Sequence, residues 1–306
     1  MKLSVTYLVT ILKYGYPPRM QDDIKSLEYL NRLGFHYLEM EGLGREHATN
    51  LKNNLSTYKK ALADNGIHIH NFCSVDPDMV SLDPKKRAVA FDHFKEMANI
   101  GCELGTETLH LASFAPPVEY KGRAPYQLDG GDYEYGSSTA IRIPDDFSWP
   151  KVWDAVVEST RMCAEYAKTL GKTIIMEPRV GEVICSVDSM LRLIADVNCD
   201  ALKANFDTGH FCAQRENVCI ALKKLEGQYA NIHIADNDPK DAEHIPLGTG
   251  IIDWEEFFRI LVQQNYNGYL GIDLGAKDDK QLEEWLIQSR DYAARVAKAA
   301  DAELEW

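Results

Sequence analysis

Short apolar segments rich in β-branched residues alternate with longer amphipathic segments along the whole chain. The first kind predicts strands and the second predicts helices, which glycines such as Gly105 bring to an end. The predicted strands cover 2–9, 35–41, 67–74, 107–113, 173–177, 203–207, 229–233 and 268–273. The predicted helices between and after them cover 22–33, 48–64, 83–104, 150–170, 187–197, 216–225, 253–264 and 278–300.

Strict alternation of eight strands with eight helices predicts an α/β fold, a single (β/α)8 TIM barrel formed by residues 1–306. An open doubly wound sheet is the main alternative. No G-x-G-x-x-G turn follows the first strand, which removes the usual support for that alternative. In a barrel the active site lies at the C-terminal ends of the strands.

A long segment without periodicity, residues 114–150, follows the fourth strand. Loops of this length are uncommon inside a compact domain and often have a function. The aromatic residues in it are Tyr120, Tyr126, Tyr133, Tyr135, Phe147 and Trp149. This much aromatic surface favours a lid or a partner-binding insertion over a solvated excursion.

Four predicted strands end in a residue that can bind a metal ion. These residues are Glu177, Asp207, His233 and Asp273. Taken alone, the Asp207-Thr-Gly-His210 turn is typical of a capping aspartate beside a surface histidine. Four such endings at one barrel mouth instead indicate a site with three carboxylates and an imidazole. That set suits one divalent ion, Mn²⁺ foremost, with Mg²⁺, Co²⁺ and Zn²⁺ as alternatives.

Composition narrows the classes of partner. The chain has 306 residues, 45% of them hydrophobic, and a net charge of -14, which disfavours a nucleic-acid backbone as ligand. No apolar run is long enough to cross a bilayer, so no membrane association is expected. Seven cysteines without C-x-x-C spacing, and a start that lacks a signal cleavage site, predict a cytoplasmic protein.

Four stretches resemble the sugar isomerase and epimerase superfamily, the xylose-isomerase-like barrels. They are Met176-Glu177, Phe206-Asp-Thr-Gly-His210, Ile232-His-Ile-Ala-Asp236 and Pro246-Leu-Gly-Thr-Gly-Ile-Ile-Asp-Trp254. That superfamily includes ketose 3-epimerases, hydroxypyruvate isomerase, keto-inositol dehydratase and the catalytic subunits of C-glycoside deglycosidases. The resemblance is specific from about Thr173 to Gly275.

The resemblance implies that Glu177, Asp207, His233 and Asp273 bind one divalent metal. It also implies that Glu177 and Asp273 move the substrate proton, and that Glu182 and His210 lie near substrate oxygens. The last metal ligand of the epimerases is normally a glutamate, so Asp273 is one methylene shorter. The arginine that those enzymes carry after the seventh strand is replaced here by Asp238-Pro239-Lys240.

The remaining histidines and the second strand leave alternatives open. His68 and His70 alternate on the third strand, and His110 lies between two leucines on the fourth. At least one of the three is expected to line the pocket, with His70 and His110 taken as substrate contacts. His244 is a loop histidine within reach of substrate. Glu39 and Glu41 share one face, as pocket carboxylates or as part of a buried ion pair.

The expected activity is a metal-dependent isomerisation or epimerisation of a sugar, with Glu177, Asp273 and His210 catalytic and an enediolate intermediate. A metal-dependent lyase is the alternative, either a 3-oxo-glycoside C-deglycosidase catalytic subunit or a keto-inositol dehydratase. Asp273 and the 114–150 segment favour that second function. The predicted partners are a small carbohydrate or polyol and either a homo-oligomer or a small second subunit. A DNA-repair nuclease and a non-catalytic binding module agree less well with the acidic charge and the complete ligand set.

Overall fold

Eight of the apolar segments pair side by side and close into a parallel barrel in a computed structural model, which describes residues 1–121, 140–238 and 243–306. The strands of the described chain are β1 (Lys2–Val5), β2 (Tyr37–Leu43), β3 (His68–Val75), β4 (Thr108–Ala112), β5 (Glu119–Tyr120), β6 (Ile141–Arg142), β7 (Thr173–Glu177), β8 (Leu202–Asp207), β9 (Tyr229–Ile234) and β10 (Tyr269–Ile272). The helices are α1 (Leu8–Tyr14), α2 (Met20–Arg32), α3 (Gly44–Asn53), α4 (Leu55–Asn65), α5 (Pro84–Leu104), α6 (Trp149–Thr169), α7 (Val187–Val197), α8 (Thr208–Ala213), α9 (Val218–Lys224), α10 (Trp254–Gln263) and α11 (Asp279–Ala299).

The strands follow the order β1-β10-β9-β8-β7-β4-β3-β2 around the barrel. The ring closes where β1 pairs with β2 at Val5 and Leu38. This confirms the predicted (β/α)8 barrel. The register also pairs Asp207 of β8 with His233 of β9, which sets two of the predicted ligands next to each other at the barrel mouth.

Alternation along each strand separates an apolar layer from a polar interior. On β9, Ile232 and Ile234 belong to the apolar core, whereas Asn231 and His233 make polar contacts inside the barrel. All seven cysteines are free. In the part of the chain that the structure describes, no helix has both the length and the apolar character needed to span a membrane.

The helical layer differs from the prediction in three places. The first predicted strand, 2–9, is only β1, and α1 begins at Leu8. Residues 8–11 are all buried, so this apolar run carries no periodicity that would separate a helix from a strand. The predicted helix over 48–64 is two helices, α3 and α4, which meet at Asn54 with φ −118° and ψ 18°. Helix α8 was not predicted. The side chain of Asp207 caps it by accepting a hydrogen bond from the backbone of His210 at 2.7 Å.

The insertion after β4 is held together at its base. Strand β5 pairs antiparallel with β6, and the amide of Lys121 donates to the carbonyl of Ala140 at 2.8 Å. Tyr126, Tyr133 and Tyr135, on which the lid prediction partly rests, lie outside the described residues. The start of the insertion, at Phe114, lies beside the mouth of the barrel.

Candidate active site

Three of the predicted ligands form one buried group at the C-terminal ends of neighbouring strands. Glu177 ends β7, Asp207 ends β8, and His233 lies near the end of β9. One ligand atom from each lies within 4.8 Å of the others. The register sets Asp207 beside His233, and the side chain of Glu177 reaches His233 from the end of β7.

His233 is held between carboxylates on both of its ring nitrogens. Its Nδ1 lies 2.6 Å from Oε1 of Glu177 and 3.6 Å from Oδ2 of Asp207. Its Nε2 lies 3.0 Å from Oε2 of Glu39. Burial alone would lower the pKa of His233, but Glu39 and Glu177 raise it well above its ordinary value. The imidazole is therefore fixed in orientation, with Nδ1 directed at the strand-end carboxylates.

The residues present fit a divalent metal ion. Asp207 is fully buried, yet its Oδ2 has no hydrogen-bond partner among the described residues. A buried carboxylate oxygen without a partner is costly, and a cation in this position would satisfy it. Glu177 and Asp207 supply oxygen and His233 supplies Nδ1, the mixed donor set that such ions take. Glu39 on Nε2 completes the carboxylate–histidine arrangement that commonly orients a metal ligand.

Asp273, the fourth predicted ligand, lies at the same mouth but is not a member of this group. Its Oδ1 accepts a hydrogen bond from Thr6 at 2.6 Å. Its Oδ2 lies 3.4 Å from Nε2 of His244, which is also 3.4 Å from Oδ1 of Asp207. Burial raises the pKa of Asp273. The side chain is thus tied to the residue that follows β1 and to the loop after β9.

The two histidines beyond the strand ends take different positions. His210 lines the cavity, and its ring lies 4.7 Å from that of His244 at an angle of 70°. Burial lowers the pKa of His210 to about 4, so its neutral form dominates at neutral pH. His244 is fully buried behind Asp207 and does not reach the cavity wall. A substrate contact at His244 stays a prediction, and the structure places the ring beside Asp207.

A cavity of about 410 Å³ opens above these residues. Its described wall contains the predicted Glu177, His233, Asp273, Glu182, His210 and His110. Nδ1 of His110 is 3.3 Å from the side-chain nitrogen of Asn71, and burial lowers the pKa of this histidine to about 4. His70 lies deeper in the barrel, stacked on Tyr269 at 3.8 Å between ring centres, and does not line the cavity.

Arg179 is the cavity residue that sequence reasoning missed. Its guanidinium lies 2.8 Å from Oε1 of Glu182, and its Nε is 4.0 Å from Oε2 of Glu177. It also donates to the carbonyl of Ser113 at 2.5 Å. Arg179 follows Glu177 by two residues, and that proximity to a strand-end ligand was the only signal available. A cation from the loop after β7 thus lies at the mouth of the cavity.

Residues 27–296 match the family model for the xylose isomerase-like TIM barrel. Fructoselysine 3-epimerase of Escherichia coli O157:H7 is 27% identical over 126 residues, 40% of this chain and 46% of that enzyme. Inosose dehydratase of Clostridium perfringens is 24% identical over 46% of this chain and 53% of that enzyme. The chain therefore spans about half the length of these two curated relatives. L-ribulose-5-phosphate 3-epimerase of Escherichia coli K12 is 28% identical over 293 residues, 91% of this chain and 87% of that enzyme.

The fold is shared with a D-tagatose 3-epimerase-like protein of known structure. The TM-score is 0.74 at 18% identity, with 98% of each chain covered. At that identity the likeness concerns the fold. The family model covers most of the barrel, from residue 27 to residue 296. The chain is a member of the xylose isomerase-like TIM barrel family.

Proposed function

We propose that the protein is a divalent-metal-dependent sugar isomerase or epimerase that removes a proton from the carbon next to a carbonyl. The observation that carries this proposal is the buried group Glu177, Asp207 and His233 beside a cavity of about 410 Å³. A cavity of this size is within the range of small-molecule sites and suits a monosaccharide. Two relatives are named as 3-epimerases, which supports the same type of reaction here.

A divalent ion, with Mn²⁺ as the first candidate and Mg²⁺, Co²⁺ or Zn²⁺ as alternatives, would polarise a carbonyl oxygen and acidify the adjacent C–H bond. The chain supplies the base. Burial alone would raise the pKa of Glu177, but His233 holds it at about 2, so the carboxylate is ionised and can accept a proton. His210 and Glu182, which Arg179 fixes in place, line the same cavity and offer hydrogen bonds to sugar hydroxyls.

A keto-sugar lyase is the second candidate, and the position of Asp273 favours it. Thr6 and His244 hold that short carboxylate, which weakens its case as a mobile partner of Glu177. Elimination needs one base, a role open to Glu177, together with an acid for the leaving group. The inosose dehydratase relative supports a dehydration of this kind. Both reactions begin with the same proton abstraction.

Proton exchange in D2O separates the two candidates. The Mn²⁺-loaded protein is incubated with D-tagatose, D-psicose, L-ribulose, inosose and a 3-oxo-glycoside, and each mixture is followed by NMR. The isomerase or epimerase proposal predicts a deuterated epimer or aldose from at least one free ketose. Inert ketoses together with an unsaturated product or a released aglycone would replace it with the lyase. Absence of exchange from every compound would contradict both.

A further inference from the structure

The carboxylates of the cavity wall differ in whether they have partners. Six carboxylates belong to the described wall, and five of them make hydrogen bonds or ion pairs. The pairs are Glu39 with Asn71, Asn231 and His233; Glu177 with Asn205 and His233; Glu182 with Arg179; Asp273 with Thr6 and His244; and Asp78 with Lys86. These five are held in place by the protein itself.

Glu41 is the sixth, and no described residue gives it a hydrogen bond or an ion pair. It lies on β2 two residues beyond Glu39, so both side chains face the barrel interior. Its neighbour on β3 is Cys73, a cavity residue that bears no charge when burial keeps its pKa well above the ordinary value. A largely enclosed carboxyl without a partner is costly to keep. Such groups are more frequent at functional sites than elsewhere.

The position of Glu41 around the ring matches that of Asp273. Strand β7, which carries Glu177, is three strands from β10 in one direction and three strands from β2 in the other. Both Asp273 and Glu41 therefore face Glu177 across the cavity. Asp273 is short and bound to Thr6, whereas Glu41 has the full length of a glutamate and is unbound. Burial also raises the pKa of Glu41 to about 7, so the group can hold or release a proton at neutral pH.

We propose that Glu41 is the second proton carrier of the reaction, serving the face of the substrate opposite Glu177. This role rests on the proposed function. The C–H bond breaks as its proton passes to Glu177, and its electron pair is delocalised into the carbonyl. A proton from Glu41 then forms the new C–H bond on the opposite face. Glu41 is left ionised and Glu177 protonated, and proton exchange with water restores both.

The test separates isotope exchange from net conversion. Glu41→Gln keeps the size and polarity of the side chain but removes the proton. In D2O with D-tagatose, D-psicose or L-ribulose, the variant is expected to wash deuterium into recovered substrate at a rate within about threefold of wild type. Conversion to the epimer is expected to fall at least about 100-fold, the usual range for loss of an acid–base group. Glu41→Asp is expected to recover part of the conversion.

Glu103→Gln is the matched control, because it neutralises an exposed carboxylate that is paired with Lys59 and lies outside the described cavity wall. It is expected to change neither rate by more than about twofold. Thermal unfolding of each variant checks the fold, and Glu41→Gln is expected to be no less stable than wild type. Full conversion by Glu41→Gln, or equal loss of exchange and conversion, would overturn the role of Glu41. Absence of exchange in the wild-type protein would instead contradict the proposed function, and this role with it.

Discussion

Nε2 of His233 lies 3.0 Å from Oε2 of Glu39, although 194 residues separate the two in sequence. Glu39 is itself fixed, since Asn71 and Asn231 donate to its two oxygens at 2.8 and 2.9 Å. The contact leaves Nδ1 of His233 free to face the ends of β7 and β8. The orientation of the nitrogen proposed to bind the metal thus depends on Glu39, which lies on strand β2.

Glu39→Gln is expected to weaken Mn²⁺ binding by roughly 10–100-fold, because it removes the charge that orients His233 and makes it basic. Calorimetric titration of the chelated protein with Mn²⁺ measures the effect. Glu107→Gln is the control, since Glu107 pairs at 3.0 Å with the half-exposed His68, away from the cavity wall. Equal affinities for wild type and Glu39→Gln would mean that this contact does not support the metal site.

Asp236 anchors the loop that follows His233. It is fully buried and accepts hydrogen bonds from the amides of Gly248 and Ile252 and from the indole of Trp254, at 2.8, 3.2 and 2.9 Å. Asp236→Ala leaves these buried donors without an acceptor, so the free energy of unfolding is expected to fall by about 3 kcal/mol. Urea unfolding gives the value. Asp278→Ala, which removes only an exposed helix cap, is expected to cost about 1 kcal/mol. Equal losses in the two variants would argue against the anchoring role.

The raised pKa of Glu41 predicts that the stability of the metal-free protein depends on pH. Burial, with Asp273, Glu177 and Glu39 adding to it and Arg179 opposing it, raises the pKa from 4.5 to about 7. The folded state then binds more protons than the unfolded state between those values, so stability falls as the pH rises through that window. The free energy of unfolding of Glu41→Gln, measured relative to wild type, is expected to rise by about 3 kcal/mol between pH 4 and pH 8. Urea unfolding in chelator at both pH values checks this, and a constant difference would contradict it.

The insertion 114–150 is expected to act as a lid or to bind a partner subunit. Phe114, Ala115 and Pro117 of its described part line the cavity, while residues 122–139 lie outside the described chain. Trypsin can cut after Lys121 and Arg123. Cleavage there is expected to slow when a substrate sugar is present and to reduce turnover. Cleavage at an unchanged rate that leaves activity intact would exclude a lid.

The sequence was sufficient to predict the barrel and the ends of the strands, because both depend on local periodicity. Glu177 and Asp207 fall on the last residues of β7 and β8 as predicted. Helices α1 and α8 were missed, since residues 8–11 are uniformly buried and α8 is only six residues long. Neither segment carries enough of a helical repeat to be recognised.

The position of a side chain along the barrel axis could not be predicted from the sequence. His70 and His110 lie on neighbouring strands, yet only His110 reaches the cavity while His70 stacks on Tyr269. The stagger of the closed sheet decides this, and it is a property of all eight strands together. The sequence did not predict Arg179 as a cavity residue for a similar reason, because its contacts with Ser113 and Glu182 depend on the tertiary fold.

Metal content and proton exchange, measured on the same samples, test the central claim most directly. Protein purified without chelator is expected to hold about one divalent ion per chain, and Asp207→Asn and His233→Gln are expected to lose it. Chelation should abolish deuterium exchange into the ketoses, and added Mn²⁺ should restore it. Full metal occupancy in both variants, or undiminished exchange by the chelated protein, would contradict a metal site at Glu177, Asp207 and His233.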